Sequence, residues 1–407
     1  MSNKPALRPL DFQPVLYQGQ QMWLLRDPLH LTDQQLVIPQ ALAGMLLLLD
    51  GTRTAGEIHH AFCQHVGETV DFQVVENALA QLDAAYLLEN ERSRRVQRQQ
   101  LAGYRAQPHR PPALAGIGYP QDPAQVVSLF QSYSDQLPAA AQEPWTGQAI
   151  VSPHIDYERG GPVYAQVWQR ARAAVAAADL VLIFGTDHSG GLGTVTLTPL
   201  PYATPFGILP AAPALVDSLA DALGPEHAYA LELNHREEHS VELSAVWLHY
   251  LYHELDREPA PMVPILSGSF QHFVGNGHHP DTDRRLNRFI TTLQRETAGK
   301  KVLAVASVDL AHVGPAFGDH FPMERARRLQ LRASDRSLIA AINQGNHARF
   351  YDEIAAVQDR NRICGFSSIY LMLRYLDGVQ GVEVAYEHCP ADDQDASLVS
   401  ICGLLLE

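Results

Sequence analysis

The chain has 407 residues, of which 46% are hydrophobic, enough for about two or three domains at roughly 150 residues per domain. The 45 acidic and 30 basic side chains give a net charge of -15. Because such a surface repels phosphate backbones, we expect no nucleic-acid partner. The 4 cysteines lack the close spacing of a disulfide framework. No run approaches the roughly 20 apolar residues that span a bilayer, so we expect a cytoplasmic protein with no membrane partner.

Residues 1–95 are predicted to form a small helical domain. The segment "LVIPQALAGMLLLLDGTRTAGEIHHAFCQHV" has the pattern of two helices joined by a turn, and "DFQVVENALAQLDAAYLLEN" has that of a third helix. Thr54, followed three residues later by Glu57, predicts a capping box at the start of the second helix. Three helices followed by a small wing resemble a winged helix of the PqqD-like type, which implies a peptide or protein partner. A generic helical bundle is the alternative.

The basic and then Pro-rich segment 96–112 is predicted to be a linker. From residue 113 to 407, apolar strands alternate with helices, which indicates an α/β domain with a central, mostly parallel sheet flanked by helices. The predicted strands cover residues 148–155, 180–188, 194–199, 261–268, 301–310, 382–388 and 397–406. The predicted helices cover residues 161–178, 211–223, 238–254, 283–298, 323–345 and 365–377.

Side chains that can bind a metal or transfer a proton follow the predicted strands 148–155, 180–188 and 301–310. Others lie in "NHREEHSVEL" and directly before Gly365. They are His154, Asp156, Asp187, His188, Glu238, His239, Ser307, Asp309, His312 and Cys364. We expect them to converge, because ligands of such sheets bind outside the carboxyl ends of the strands. Imidazole, carboxylate and thiolate are ligands of zinc and iron. The sequence therefore predicts a transition-metal site with open coordination positions at this edge of the sheet.

A metal-free hydrolase is the competing interpretation of the same residues. Ser240, His239 and Asp309 could supply the three groups of a serine hydrolase. However, the chain lacks the Gly-x-Ser-x-Gly elbow that presents such a serine. The glycine-rich "GTDHSGGLG" matches neither the Gly-x-Gly-x-x-Gly nor the Walker pattern. Nucleotide binding is therefore not expected.

Seven ordered motifs resemble those of Memo-like proteins, whose prokaryotic branch is the AmmeMemoRadiSam system protein B. They are "LAGIGYP", "PHIDY", "FGTDHSG", "EEHSVEL", "SVDLAHVG", "ICGFSSIYLML" and "DASLVSICGLLL". The resemblance covers residues from about 110 to 407. It implies the fold of the class III extradiol dioxygenases, and it implies a radical-SAM enzyme and an AMMECR1-like protein as partners.

The resemblance also implies roles for individual residues. His154, His188 and Cys364 match the metal ligands of the family, and His239 corresponds to the acid-base histidine of the dioxygenases. The residues expected to take part in catalysis are His239, Asp309 and His312. The residues expected to line the pocket are Asp156, Tyr157, Asp187, Glu238 and Ser307.

The sequence departs from the family pattern in two motifs. Ile155 and Asp156 stand where the family has two small residues, and Ser189 follows His188 where the family has a second histidine. Asp156 could orient a neighbouring ligand, or it could bind the backbone of the following turn.

Three functions are compatible with these residues. The first is a non-haem Fe(II) oxidoreductase related to the extradiol dioxygenases, acting on a small-molecule or peptide substrate. A thiolate ligand favours Fe(II) or copper over magnesium. The second is a non-catalytic accessory protein that binds a peptide or a partner in the same pocket. The third is a zinc-dependent hydrolase.

Overall fold

A computed structural model of the protein describes residues 4–32, 34, 36–137 and 144–407. The chain divides into two compact units, Met1–Gln107 and Pro108–Glu407. The boundary between the two units falls inside the predicted linker, residues 96–112. The first part of this segment belongs to a helix, Glu91–Arg105, and Arg110 near its end is fully buried in the second unit, where Glu242 pairs with its charge. Among the helices of the described residues, none is long and apolar enough to cross a membrane.

The described part of the first unit contains an antiparallel sheet and four helices. Strands β1 (Asp11–Tyr17) and β2 (Gln20–Arg26) form a hairpin, and β3 (Leu36–Pro39) pairs with β2. The turn residues Gln18 and Gly19 have φ angles of 52° and 78°, as a two-residue turn of type I′ requires. The helices are α1 (Gln40–Leu46), α2 (Ala55–Val66), α3 (Phe72–Ala84) and α4 (Glu91–Arg105).

The three predicted helices and the capping box at Thr54 and Glu57 are confirmed. The order of sheet and helices differs from the prediction, because the sheet precedes the helices and a helix follows α3. The only sheet contact described just after α3 is an isolated bridge between Leu7 and Leu88. The segment "LVIP", predicted as helix, is strand β3, since its β-branched residues pack against β2. The winged helix of the PqqD-like type is therefore not confirmed.

The second unit alternates strands and helices as predicted. Its strands are β4 (Ala149–Ser152), β5 (Leu180–Thr186), β6 (Val195–Leu197), β7 (Tyr202–Thr204), β8 (Gly207–Leu209), β9 (Met262–Ser267), β10 (Val302–Ser307), β11 (His312–Val313), β12 (Gly381–Pro390) and β13 (Leu398–Leu406). Its helices are α5 (Pro123–Ser134), α6 (Tyr157–Ala177), α7 (Pro213–Leu223), α8 (Pro225–Ala228), α9 (His239–Glu254), α10 (Gln271–Asn276), α11 (Arg284–Thr297), α12 (Arg325–Asn343), α13 (His347–Ala355) and α14 (Phe366–Leu376).

The central sheet is mixed, which corrects the prediction of a mostly parallel sheet. Its strand order is β11-β13-β4-β10-β5-β9-β6, and β12 also pairs with β13. The four strands at the centre, β4, β10, β5 and β9, are parallel. The strands on both sides of them are antiparallel. Apolar patterns identify buried strands but do not encode their direction, so this part of the topology was not predictable.

Helices cover both faces of the sheet. Along β5, Leu182 and Phe184 pack in one core with α7, α11 and α14, whereas Val181 and Ile183 pack in the opposite core with α6 and α9. Burial on both faces explains why the central strands are continuous apolar runs. The likeness to the class III extradiol dioxygenases stays a prediction.

Candidate metal centre

The carboxyl ends of three neighbouring parallel strands bring the predicted residues together. Strand β4 ends at Ser152, shortly before His154, and β5 ends at Thr186, shortly before His188. Strand β10 lies between them and ends at Ser307. Because the three strands run in the same direction, their ends meet at one edge of the sheet.

His154 is fixed by β10 and by the loop that follows it. Its Nδ1 donates to the Ser307 carbonyl at 2.9 Å. The backbone N–H groups of His154 and Ile155 donate to the Asp309 carboxylate at 3.0 and 3.1 Å. Because a carbonyl can only accept, Nδ1 of His154 carries the proton and Nε2 is left with its lone pair. The buried His154 ring therefore presents a metal-binding nitrogen toward the other site residues.

Glu238 holds the other two histidines. Its carboxylate accepts hydrogen bonds from Nδ1 and from the backbone N–H of His188, each at 3.0 Å, and it lies 3.1 Å from Nδ1 of His239. The same carboxylate caps α9 by accepting from the Ser240 N–H at 3.0 Å. Gly185 allows this approach, because a Cβ atom there would lie 2.7 Å from Ser240 Oγ. One carboxylate thus orients two imidazoles and starts the helix that carries one of them.

In the part of the chain that the structure describes, one group of three side chains could hold a metal ion. The ligand nitrogens of His154, His188 and His239 all lie within 4.8 Å of one another. The Cys364 Sγ lies 3.1 Å from Nε2 of His154 and 3.4 Å from Nε2 of His188. The structure therefore brings the three predicted ligands together. It also adds His239, predicted as the acid-base residue, to the same cluster.

Cys364 reaches this cluster because two chain segments approach closely. The N–H groups of Cys364 and Gly365 donate to the carbonyls of Leu310 and Asp309 at 3.0 and 2.9 Å. A Cβ atom on Gly365 would lie 2.6 Å from the Val308 Cβ and 2.9 Å from the Asp309 carbonyl oxygen. The glycine after the cysteine is thus required for the thiol to reach the ends of the strands.

The imidazoles favour the ionised form of the thiol. Burial raises the pKa of Cys364, but His154 and His188 outweigh this effect and lower the pKa to about 5. Burial lowers the pKa of His154, and Cys364 offsets this effect only in part. Burial also lowers the pKa of His188, but Glu238 and Cys364 raise it well above its usual value. The thiolate, which is the form that binds metals, is therefore favoured at neutral pH.

Comparison with known proteins identifies the family of this chain. The profile described as "Memo-like protein" matches residues 110–403. The chain belongs to the Memo-like family. A MEMO1 family protein of Aquifex aeolicus is 24% identical over 409 residues, which cover 99% of each chain. A MEMO1 family protein of Thermus thermophilus is 27% identical over 301 residues, which cover 72% of this chain and 81% of the relative.

A further MEMO1 family protein, from Archaeoglobus fulgidus, is 27% identical over 267 residues, which cover 65% of this chain and 86% of the relative. The alignment with the Aquifex protein takes in the N-terminal unit as well as the Memo-like region. The family resemblance drawn from the sequence motifs is thus confirmed.

The Memo-like site opens into a cavity of about 440 Å³. His188 and Cys364 line one part of it, and His312, Arg362 and Phe366 line others. Burial lowers the pKa of His312, which keeps this imidazole neutral at pH 7. A small organic molecule in this cavity would contact the thiol and the His188 ring directly.

Two other predicted pocket residues lie next to the Memo-like cluster. Asp187 is buried and accepts hydrogen bonds from Nδ2 of Asn234 at 2.9 and 3.0 Å. Burial raises the pKa of Asp187 to about 6. Ser307 supports His154 through its carbonyl, while its hydroxyl donates to the carbonyl of Ser240. Asp187 also lines the cavity, as predicted, whereas the fully buried Ser307 supports the end of its strand.

Two predicted pocket residues make structural contacts instead. Asp156 caps α6 by accepting from the Arg159 N–H at 3.0 Å, and it pairs with the Arg159 guanidinium. The Tyr157 hydroxyl donates to the Leu243 carbonyl at 2.6 Å, and its ring packs against Phe130 in the core. Asp156 could orient a ligand or bind the backbone of the following turn, and its hydrogen bonds are those of the second role.

Sequence reasoning missed three residues that support the Memo-like site. The Thr186 hydroxyl donates to the Cys364 carbonyl at 3.1 Å. Asn234 bonds to Asp187, which precedes His188. Thr186 and Asn234 lie within the motifs "FGTDHSG" and "NHREEHSVEL". A polar side chain close to the histidines of these motifs was the signal that could have identified them. Arg110 lay in the predicted linker, and nothing in its local sequence indicates burial.

Proposed function

We propose that this Memo-like protein is a transition-metal-dependent oxidoreductase that uses Fe(II), with copper as the alternative metal. The observation that carries the proposal is the position of the Cys364 thiol, 3.1 Å from Nε2 of His154 and 3.4 Å from Nε2 of His188. His239 supplies a third imidazole within 4.8 Å of the other two.

The spacing of these atoms fits a shared ion. Ligands bound about 2.0–2.3 Å from a tetrahedral ion lie roughly 3.3–3.8 Å apart, close to the two sulfur–nitrogen distances. The Nδ1 atoms of His154 and His188 are occupied by the Ser307 carbonyl and the Glu238 carboxylate. Such outer hydrogen bonds are typical of metal-binding histidines, since they fix the tautomer and the ring orientation.

The chemistry of the donors selects the class of metal. Thiolate and imidazole suit iron, copper and zinc, whereas magnesium and calcium prefer oxygen ligands. A bound Fe(II) or copper ion would supply redox chemistry next to the cavity. In the protein, Asp309 fixes the chain at His154, and His312 can accept a proton from a molecule in the cavity because its imidazole is neutral.

A zinc-dependent hydrolase is the second candidate, because three histidines are also the ligand set of some catalytic zinc sites. The two candidates differ in whether the bound metal changes oxidation state. Oxygen exposure of the anaerobically isolated protein would change its absorption and paramagnetic resonance spectra if the metal is iron or copper, whereas a zinc protein would show no change.

The proposal is tested by the metal content of the anaerobically purified protein and of three variants, His154→Ala, His188→Ala and Cys364→Ala. We expect about one equivalent of metal in the unchanged protein and a large loss in each variant. His227→Ala, at an exposed histidine paired with Glu226, is the matched control and should keep its metal. Full metal content in all three site variants would overturn the assignment.

The radical-SAM and AMMECR1-like partners stay proposals that rest on the family resemblance. Co-purification with the full-length chain tests them, and the absence of both proteins from the purified complex would count against them.

A further inference from the structure

Arg110 is a fully buried arginine whose guanidinium group bonds in three directions. Its Nε donates to the His235 carbonyl at 2.7 Å, and its Nη2 donates to the Glu238 carbonyl at 3.0 Å. Its Nη1 donates to the carboxylate of Glu242. The guanidinium also lies over the Tyr202 ring, 4.8 Å from its centroid. Arg110 therefore joins both ends of the short segment that leads into α9.

Glu242 completes this arrangement from within α9. Its carboxylate accepts from the N–H groups of Ala113 and Leu114, each at 2.8 Å, and from the Tyr119 hydroxyl. Arg110 and Glu242 are 0% and 1% exposed, so each charge depends on the other for compensation. The segment 110–119 is thereby tied to the first turn of α9.

One of the two carbonyls that Arg110 binds belongs to a residue that orients the histidines of the metal centre. The Glu238 carbonyl belongs to the residue whose carboxylate bonds to His188 and lies beside His239. On the opposite side, the Glu238 backbone N–H donates to the Asn234 carbonyl at 3.1 Å. The backbone of Glu238 is thus held at both its N–H and its carbonyl, and Arg110 supplies one of these two constraints.

We propose that Arg110, paired with Glu242, is a positioning residue for the metal centre: it fixes the backbone of Glu238, and so the carboxylate that orients His188 and His239. This inference rests on the proposed metal-binding function. Changes to groups that orient metal ligands commonly alter metal affinity by roughly 10–100-fold. A lysine at position 110 would keep the charge beside Glu242, but it could not donate in the same three directions.

The test compares two variants of the full-length protein. Arg110→Lys keeps the positive charge, and the double variant Arg110→Met with Glu242→Gln removes both charges, so that neither variant leaves an uncompensated buried ion. We expect the Kd for Fe(II) to rise about 10-fold or more in both, while the proteins stay folded. In the metal-free form of both variants, we expect faster amide hydrogen exchange at residues 235–242 than in the metal-free unchanged protein.

The control is Asp27→Asn, which breaks a second buried ion pair, that of Arg8 with Asp27 in the first unit. It should lower the unfolding midpoint and leave the Kd for Fe(II) unchanged. A Kd in Arg110→Lys within about twofold of the unchanged protein, or an equal rise in Asp27→Asn, would overturn the positioning role. If the unchanged protein bound no metal, the proposed metal-binding function would fail. The role of Arg110 would still be tested separately, because equal amide exchange rates at residues 235–242 in Arg110→Lys and in the unchanged protein would contradict it.

Discussion

The two histidines closest to Cys364 are held in different ways. His154 is buried, with 2% of its side chain exposed, and its partners are a strand carbonyl and a buried aspartate. His188 retains 39% of its side-chain exposure and depends on one carboxylate, that of Glu238. The fold therefore fixes the first imidazole, whereas a single side chain orients the second. Substitutions on the two sides of the site should for this reason have separable effects on stability and on metal binding.

The largest effect is expected from removing either imidazole. His154→Ala and His188→Ala should both lose most of the metal. In the metal-free protein, His154→Ala should lower the free energy of unfolding by about 1–3 kcal/mol at neutral and higher pH, since it leaves the buried Ser307 carbonyl without its donor. His188→Ala should lower it most at low pH, where the charged imidazole pairs with Glu238. Metal analysis and urea denaturation of the metal-free proteins measure the two effects. Equal losses of stability in His154→Ala and His188→Ala at every pH would contradict the conclusion that the two histidines are held in different ways.

The next effect concerns the carboxylate that orients His188. Glu238→Gln should raise the Kd for the metal by roughly 10–100-fold, because the neutral amide cannot accept equally well from two imidazoles. Glu237→Gln, at the adjacent exposed glutamate that pairs with Arg236, is the matched control. Isothermal titration of both variants with the metal measures the difference, and identical Kd values for the two would contradict the role of Glu238.

The contributions of His188 and His154 to the stability of the metal-free protein should depend on pH in opposite directions. The pKa of His188 is higher in the folded state than its usual 6.5, so its contribution is complete below that pH and is lost as the pH rises through the folded value. Burial lowers the pKa of His154, so its contribution falls as the pH drops below 6.5.

Urea denaturation of the metal-free variants tests these signs. Relative to the unchanged protein, His188→Gln should be least stable near about pH 5, and His154→Gln should be relatively less affected there than at about pH 8. The same pH profile for both variants would show that the two histidines do not differ as described.

The smallest effect is expected at Asp156, beside His154 in the chain. Asp156→Ala should lower the free energy of unfolding by about 0.5–2 kcal/mol, because it removes the N-cap of α6. Its metal content should stay unchanged, since the carboxylate bonds to Arg159. Thermal unfolding and metal analysis measure the two quantities. A loss of metal in Asp156→Ala would show that Asp156 supports the metal site as well as the helix.

The elements that were predictable from the sequence are those with a local signal. Central strands such as β5 are apolar runs because both faces are buried, and the polar residues that follow them mark the ends of the strands. The cluster of His154, His188 and Cys364 follows from family motifs, of which two lie at those ends and the third lies directly before α14. The cap at Asp156 also has a local signal, since Asp156 accepts from a backbone N–H three residues later.

The remaining features depend on partners that are distant in the sequence. Arg110 lies in a Pro-rich segment with the composition of a linker, and its burial is decided by Glu242, 132 residues away. The strand β2 was missed because its exposed and buried residues do not alternate clearly. His239, predicted to transfer protons, begins α9 beside Glu238, and only the structure shows that its ring joins the other two imidazoles.

The central claim is that Cys364 and the histidines bind one transition-metal ion, and X-ray absorption spectroscopy of the Fe(II)-loaded protein tests it most directly. The arrangement predicts one sulfur ligand at roughly 2.3 Å together with imidazole nitrogens at about 2.0–2.2 Å, and it predicts that the sulfur signal disappears in Cys364→Ala. A spectrum with only nitrogen and oxygen ligands in the unchanged protein, or a sulfur signal that persists in Cys364→Ala, would contradict it.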